Sequence, residues 1–108
     1  MRSTITQATP QNIERSIKTG EVEIIDVRTH SEFIQEHIEG AKNLDISSPI
    51  FDLNVWTLQK HKVLALYCRS GERSQVAAER LEKMGYARIV HLYGGLISWK
   101  MAQLPLVK

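Results

Sequence analysis

The stretch Tyr67-Cys68-Arg69-Ser70-Gly71-Glu72-Arg73-Ser74 holds the chain's only cysteine, with two arginines and a glycine close behind it. A cysteine acts as a nucleophile through its thiolate, so whatever stabilises negative charge around Cys68 matters first. The apolar run Val63-Leu64-Ala65-Leu66-Tyr67 precedes it and a helical pattern follows, which puts Cys68 in a strand-to-helix turn. Such a turn points successive backbone N–H groups inward. With the first turn of the helix it makes a nest for anions. Gly71 permits a positive φ where a side chain would be strained. Arg69 and Arg73 bring positive charge near the thiol, and Ser74 sits where the helix begins. Singly, each residue has an ordinary role: a small buried hydrophobe, solvated arginines, a turn glycine, a capping serine. Their coincidence at one strand end makes Cys68 the candidate nucleophile, with Arg69, Ser70, Gly71, Glu72 and Arg73 as an anion-binding loop. Phosphate, arsenate, sulfate-like groups, thiosulfate and a persulfide all suit such a loop.

The rest of the chain has to position that turn. Short apolar runs alternate with helical patterns, the signature of an α/β layer architecture. Thr9 caps a helix that starts at Pro10, buries Ile13 and Ile17 and stops at Gly20. Val22 to Val27 is a β-branched strand. Ser31 opens a short helix carrying Phe33 and Ile34, Gly40 to Ile46 contains a short strand, and Ser47 or Ser48 with Pro49 opens a helix carrying Phe51, Leu53, Trp56 and Leu58. The continuous run Val63 to Tyr67 suits a strand buried on both faces. A helix over Arg73 to Met84 follows, with Ala77, Leu81 and Met84 as its apolar stripe and Gly85 at its end. Arg88 to Leu92 is the last strand, and Gly94-Gly95 leads into a final helix. The expected fold is a mostly parallel sheet of about five strands with right-handed crossovers. Ligands of such sheets bind beyond the carboxyl ends of the strands, where Cys68 stands.

A length of 108 residues predicts one domain, 1–108. The net charge of +2 is too small to argue for nucleic acid or an anionic membrane as partner. One cysteine excludes an internal disulfide and a two-cysteine redox cycle. The opening MRSTITQATPQ has no apolar stretch of signal-peptide length, and no run approaches the ~18 apolar residues of a membrane span. A cytoplasmic protein is therefore expected, where a lone free thiol stays reduced. His30, His61 and His91 lack metal-ligand spacing, so no metal is expected.

Three segments together resemble the rhodanese family and cover nearly the whole chain. The first is Asp26-Val27-Arg28, then Glu32-Phe33, then His37-Ile38-Glu39-Gly40-Ala41 and Asn43. The second is Cys68-Arg69-Ser70-Gly71-Glu72-Arg73-Ser74 with Ala77 and Ala78 beyond. The third is Gly85-Tyr86, then Leu92-Tyr93-Gly94-Gly95-Leu96 and Trp99. The resemblance implies a three-layer α/β/α domain and a sulfurtransferase without cofactor. Cys68 matches the persulfide-forming cysteine, and the loop Arg69 to Arg73 matches the backbone cradle of the outer sulfur. The implied partners are a small anionic donor such as thiosulfate and an acceptor that is cyanide, a thiol or a protein. Asp26 and Arg28 match positions near the site or in its framework, with Ser74 supporting. Arg28 and Glu32 are expected to form a structural ion pair, and His37 and Trp99 to pack and hydrogen-bond. The rival functions are a persulfide carrier or binding module, and a phosphatase or arsenate reductase. Related phosphatases use H-C-x5-R, whereas Tyr67 precedes Cys68 here and Cys68 to Arg73 is C-x4-R. The tighter loop suits a single sulfur better than a tetrahedral phosphoryl centre. Arsenate reduction is disfavoured by the missing second cysteine.

Overall fold

The computed structural model describes residues 4–108, so the first three positions of the domain expected over 1–108 lie outside it. Its elements run β1 (Ile5–Ala8), α1 (Pro10–Lys18), β2 (Val22–Asp26), α2 (His30–Gln35), β3 (Lys42–Asn43), α3 (Phe51–Val55), β4 (Val63–Tyr67), α4 (Glu72–Lys83), β5 (Ile89–Leu92) and α5 (Gly95–Met101). The strands form one sheet in the order β1-β5-β4-β2-β3, and every pairing is parallel. Parallel neighbours require crossovers, and the helices that make them cover both faces.

Alternation along β4 separates the two cores. Leu64, Leu66 and Cys68 pack with Phe51 and Val55 of α3 and Ala77 and Leu81 of α4. Ala65 and Tyr67 face the other way, onto Ile13 of α1 and Leu96 and Trp99 of α5. This is the expected three-layer α/β/α arrangement. The period of two along the strand is what puts the thiol on the α4 side.

Several boundaries differ from the sequence expectation. Strand β1 was not expected at all. Ile-Thr-Gln-Ala carries no apolar run, because an edge strand half-exposed to solvent needs none. Helix α2 starts at His30 rather than from a cap at Ser31. Thr29 caps it, accepting from the Glu32 N–H while Glu32 reaches back to the Thr29 N–H. This box satisfies two orphan donors, and Ser31, three residues before Ile34, has no such partner. Helix α3 begins at Phe51 with no side-chain cap, because the preceding serines build a turn instead. Asp45 accepts from both the N–H and the hydroxyl of Ser47, at 2.8 and 2.6 Å, and the Ser48 hydroxyl accepts from the Ile50 N–H. Trp56 and Leu58 lie beyond the end of α3.

Candidate active site

Strand β4 lies between β5 and β2 and delivers Cys68 at its C-terminal end. The residue is 1% exposed. Its Sγ receives the Gly71 N–H at 3.1 Å, the Ser74 N–H at 3.4 Å and the Ser74 hydroxyl at 3.3 Å. Burial pushes the thiol up. Hydrogen bonds from the Ser74 hydroxyl and from the Ser74, Gly71 and Ser70 amides outweigh it and hold Cys68 below its ordinary value. The first turn of α4 adds the positive end of a twelve-residue helix.

The loop takes this shape because α5 holds it from behind. Leu96 N–H donates to the Cys68 carbonyl at 2.9 Å and Ile97 N–H to the Arg69 carbonyl at 3.1 Å. With those carbonyls turned toward α5, the amides that follow turn toward sulfur. Gly71, at φ +112°, makes the reversal into α4. Gly95 lets α5 come close enough. A Cβ there would lie 2.5 Å from the Cys68 oxygen and 2.6 Å from the Arg69 oxygen, at a φ of +59°. Gly95→Ala is therefore expected to destabilise the fold by about 2–4 kcal/mol in urea melts, from overpacking and backbone strain together. A change below about 0.5 kcal/mol would show that α5 shifts freely away from the loop.

The charged residues divide into those committed elsewhere and one that is not. Arg73 makes a two-pronged pair with Glu32, at 2.7 and 3.0 Å. That contact, helped by Thr29 and opposed by burial, holds the Glu32 carboxyl down at about 2. The same partner raises the Arg73 guanidinium. The expected Arg28–Glu32 pair is thus not formed. The Thr29 capping box turns the Glu32 carboxylate toward α4, and Arg28 pairs with Asp26 instead. Arg28 Nε and Nη2 reach the Asp26 carboxylate at 3.0 and 2.7 Å, and Nη2 also donates to the Glu36 carbonyl. Asp26 is fully buried and Arg28 is 5% exposed. Asn43 donates to the carbonyls of both residues, which ties the end of β2 to β3. These two residues frame the site without hydrogen-bonding to Sγ. Ser70 donates to Glu72 at 2.9 Å across the outer side of the loop, and Glu72 opens α4, where its charge suits the helix dipole. Arg69 is exposed and, among the described residues, has no ion-pair partner. It lines a cleft of about 530 Å³ with Arg28, Leu96, Ile97 and Lys100.

His37 and Trp99 pack as expected. His37 stacks on Phe33 at 3.8 Å between ring centroids, and Trp99 donates to the Pro105 carbonyl at 3.0 Å. The residue that sequence reasoning passed over is His91. It is 3% exposed, and its Nε2 lies 2.6 Å from the Ser74 hydroxyl that touches Sγ. Its spacing in the sequence speaks only against a metal ligand and says nothing of this contact. The available signal was a titratable ring inside the otherwise apolar strand Ile89–Leu92, on the same face as Ile89.

Residues 9–102 match the family described as the rhodanese-like domain. The chain belongs to this family. A protein of Allochromatium vinosum named a sulfurtransferase is 34% identical to this rhodanese-like domain over 94 residues, covering 87% of the chain and 86% of that protein. An uncharacterized Synechocystis protein is 39% identical over 101 residues, which is 92% of the chain but only 54% of that protein. Among solved structures, a rhodanese-related protein from Thermoplasma volcanium superposes with a TM-score of 0.84 at 29% identity, covering 94% of this chain and 97% of the other. Among the described residues no helix is long and apolar enough to cross a membrane.

Proposed function

We propose that this rhodanese-like domain is a sulfurtransferase that carries a sulfane sulfur as a persulfide on Cys68. The observation that carries the proposal is the buried Sγ facing the Gly71 and Ser74 amides and the Ser74 hydroxyl at 3.1–3.4 Å. That cradle directs three donors at the sulfur and supplies fixed dipoles where charge develops.

With thiosulfate as donor, the Cys68 thiolate attacks the outer sulfur. A new S–S bond forms to Sγ, the bond from the outer sulfur to the sulfonate sulfur breaks, and sulfite leaves with that electron pair. Loop amides then share the charge of the terminal persulfide sulfur. Cyanide or a thiolate attacks that sulfur in turn, the Cys68–S bond breaks, and the Cys68 thiolate is regenerated. The ping-pong cycle balances with no redox partner. Arg69, on the rim of the open cleft, is the cation placed to receive an anionic donor. Arg73, spent on Glu32, supports the loop instead. The same commitment argues against phosphoryl transfer, which needs a guanidinium on the phosphoryl oxygens.

The test compares two assays on one preparation. Thiocyanate formation from thiosulfate and cyanide is expected to follow ping-pong kinetics, and p-nitrophenyl phosphate is expected to stay at background. Phosphate release without thiocyanate would reverse the assignment.

A further inference from the structure

The Cys68 thiol is 1% exposed, and the nearest carboxylates are occupied. Glu32 is held by Arg73, Asp26 by Arg28, and Glu72 accepts from Ser70. Yet a chain of hydrogen bonds leads away from Sγ on the α4 side. The Ser74 Oγ lies 3.3 Å from Sγ and 2.6 Å from His91 Nε2. His91 Nδ1 lies 2.6 Å from Gln7 Oε1. Gln7 Nε2 donates to Gln75 Oε1 at 3.0 Å, and Gln75 Nε2 donates to Glu79 at 3.2 Å. Strand register builds this line: Gln7 of β1 pairs with His91 of β5, which pairs with Leu66, two residues before Cys68 on the same face of β4.

The chain has a direction. The Glu79 carboxylate can only accept, so Gln75 must present its N–H₂ there and its oxygen to Gln7. Gln7 must then present its own oxygen to His91. Nδ1 is therefore the protonated nitrogen of the neutral ring, and Nε2 is left with a lone pair toward Ser74. Three acceptors lie within reach of the one Ser74 hydroxyl hydrogen, His91 Nε2 at 2.6 Å, the Gly71 carbonyl at 3.2 Å and Sγ at 3.3 Å. While Cys68 is a thiol the hydrogen goes to the nearest, Nε2, and the Ser74 oxygen is free to accept the S–H; it turns to Sγ once the thiolate forms.

We infer that His91, acting through the Ser74 hydroxyl, is the internal base that takes the Cys68 thiol proton. The S–H bond breaks as Ser74 Oγ gains that hydrogen, and the original Ser74 O–H breaks as His91 Nε2–H forms. One proton moves in net, leaving thiolate and imidazolium. In the product the hydrogen bonds reverse, with Nε2–H donating to Ser74 and the Ser74 O–H donating to the thiolate. Burial outweighs a hydrogen bond to the Gly71 backbone and holds the His91 ring below its ordinary value, so the ring rests neutral with its lone pair available and its imidazolium form depends on the thiolate beside it. His91 touches neither donor nor acceptor sulfur, so it is a positioning residue and proton store. The charged and titratable groups around it are Cys68 across Ser74, Glu72 and Tyr93 in the cleft they share with it, and Glu79 at the end of the chain.

The relay presupposes Cys68 as the reactive thiol, but its test needs no sulfur donor. The rate of iodoacetamide alkylation of Cys68 is measured against pH on wild type, His91→Gln, Ser74→Ala and the double variant. Glutamine can still hold the Ser74 hydroxyl but is not a base. The midpoint of the rate profile is expected to rise by about one pH unit in His91→Gln, slowing alkylation at pH 7 about tenfold. The double variant is expected to match Ser74→Ala, because the second change acts only through the first. An unchanged midpoint in His91→Gln, or fully additive effects, would overturn the relay. If His91→Gln does not fold, Gln7→Met on the exposed edge strand releases the tautomer. It is expected to slow alkylation about threefold, and no change there overturns the relay equally. Sulfur uptake by wild type with an unshifted His91→Gln midpoint sinks the relay alone. A shifted midpoint without sulfur uptake supports the relay and counts only against the sulfurtransferase assignment.

Discussion

Cys68→Ser is expected to lower thiosulfate:cyanide turnover to background, a fall of at least about a thousandfold, with the fold intact. A serine hydroxyl is far less acidic than a thiol and forms no persulfide. Nothing else near the loop replaces it, since the chain has no second cysteine. The cradle itself should tolerate the change. Gly71 and Ser74 donate to whatever acceptor stands at that position, and the serine oxygen accepts those bonds. Stability is therefore expected to stay within about 1 kcal/mol of wild type in a thermal melt. Undiminished turnover would move the chemistry to another residue.

The largest effect on stability is expected from Arg28→Ala. The change leaves the Asp26 carboxylate fully buried without its guanidinium and orphans the Glu36 carbonyl. Removing one partner of a buried pair costs about 3–5 kcal/mol, because the remaining charge is uncompensated. Denaturant melts measure that cost. Thiocyanate formation in the fraction still folded is expected to be largely preserved, since Arg28 frames the site without touching Sγ. A stable Arg28→Ala protein with lost turnover would instead make Arg28 part of the chemistry.

The loop and its cysteine were legible in the sequence because their signals are local. A strand end, a glycine at the turn and the start of a helix lie within eight residues. Strand β4 was legible because a strand buried on both faces reads as unbroken apolar residues. Strand β1 was not, because its single sheet neighbour and open edge ask little of its side chains. Charge partners were the hardest to foresee. Arg28 and Glu32 stand four residues apart, yet Asp26 captured one and Arg73, 41 positions along the chain from Glu32, captured the other. The capping preference of Thr29 decided which way Glu32 turned. His91 was missed for a related reason. Its meaning comes from neighbours 84 and 17 positions away: β1–β5 pairing brings in Gln7, and the packing of α4 on β5 brings in Ser74.

The central claim is tested most directly by intact-protein mass spectrometry after thiosulfate treatment, then after cyanide, on wild type and Cys68→Ser side by side. The expected result is a gain of one sulfur atom on wild type alone, removed by cyanide as thiocyanate appears. Sulfur bound equally to both proteins, or sulfur on wild type that cyanide does not release, would contradict a transfer cycle at Cys68.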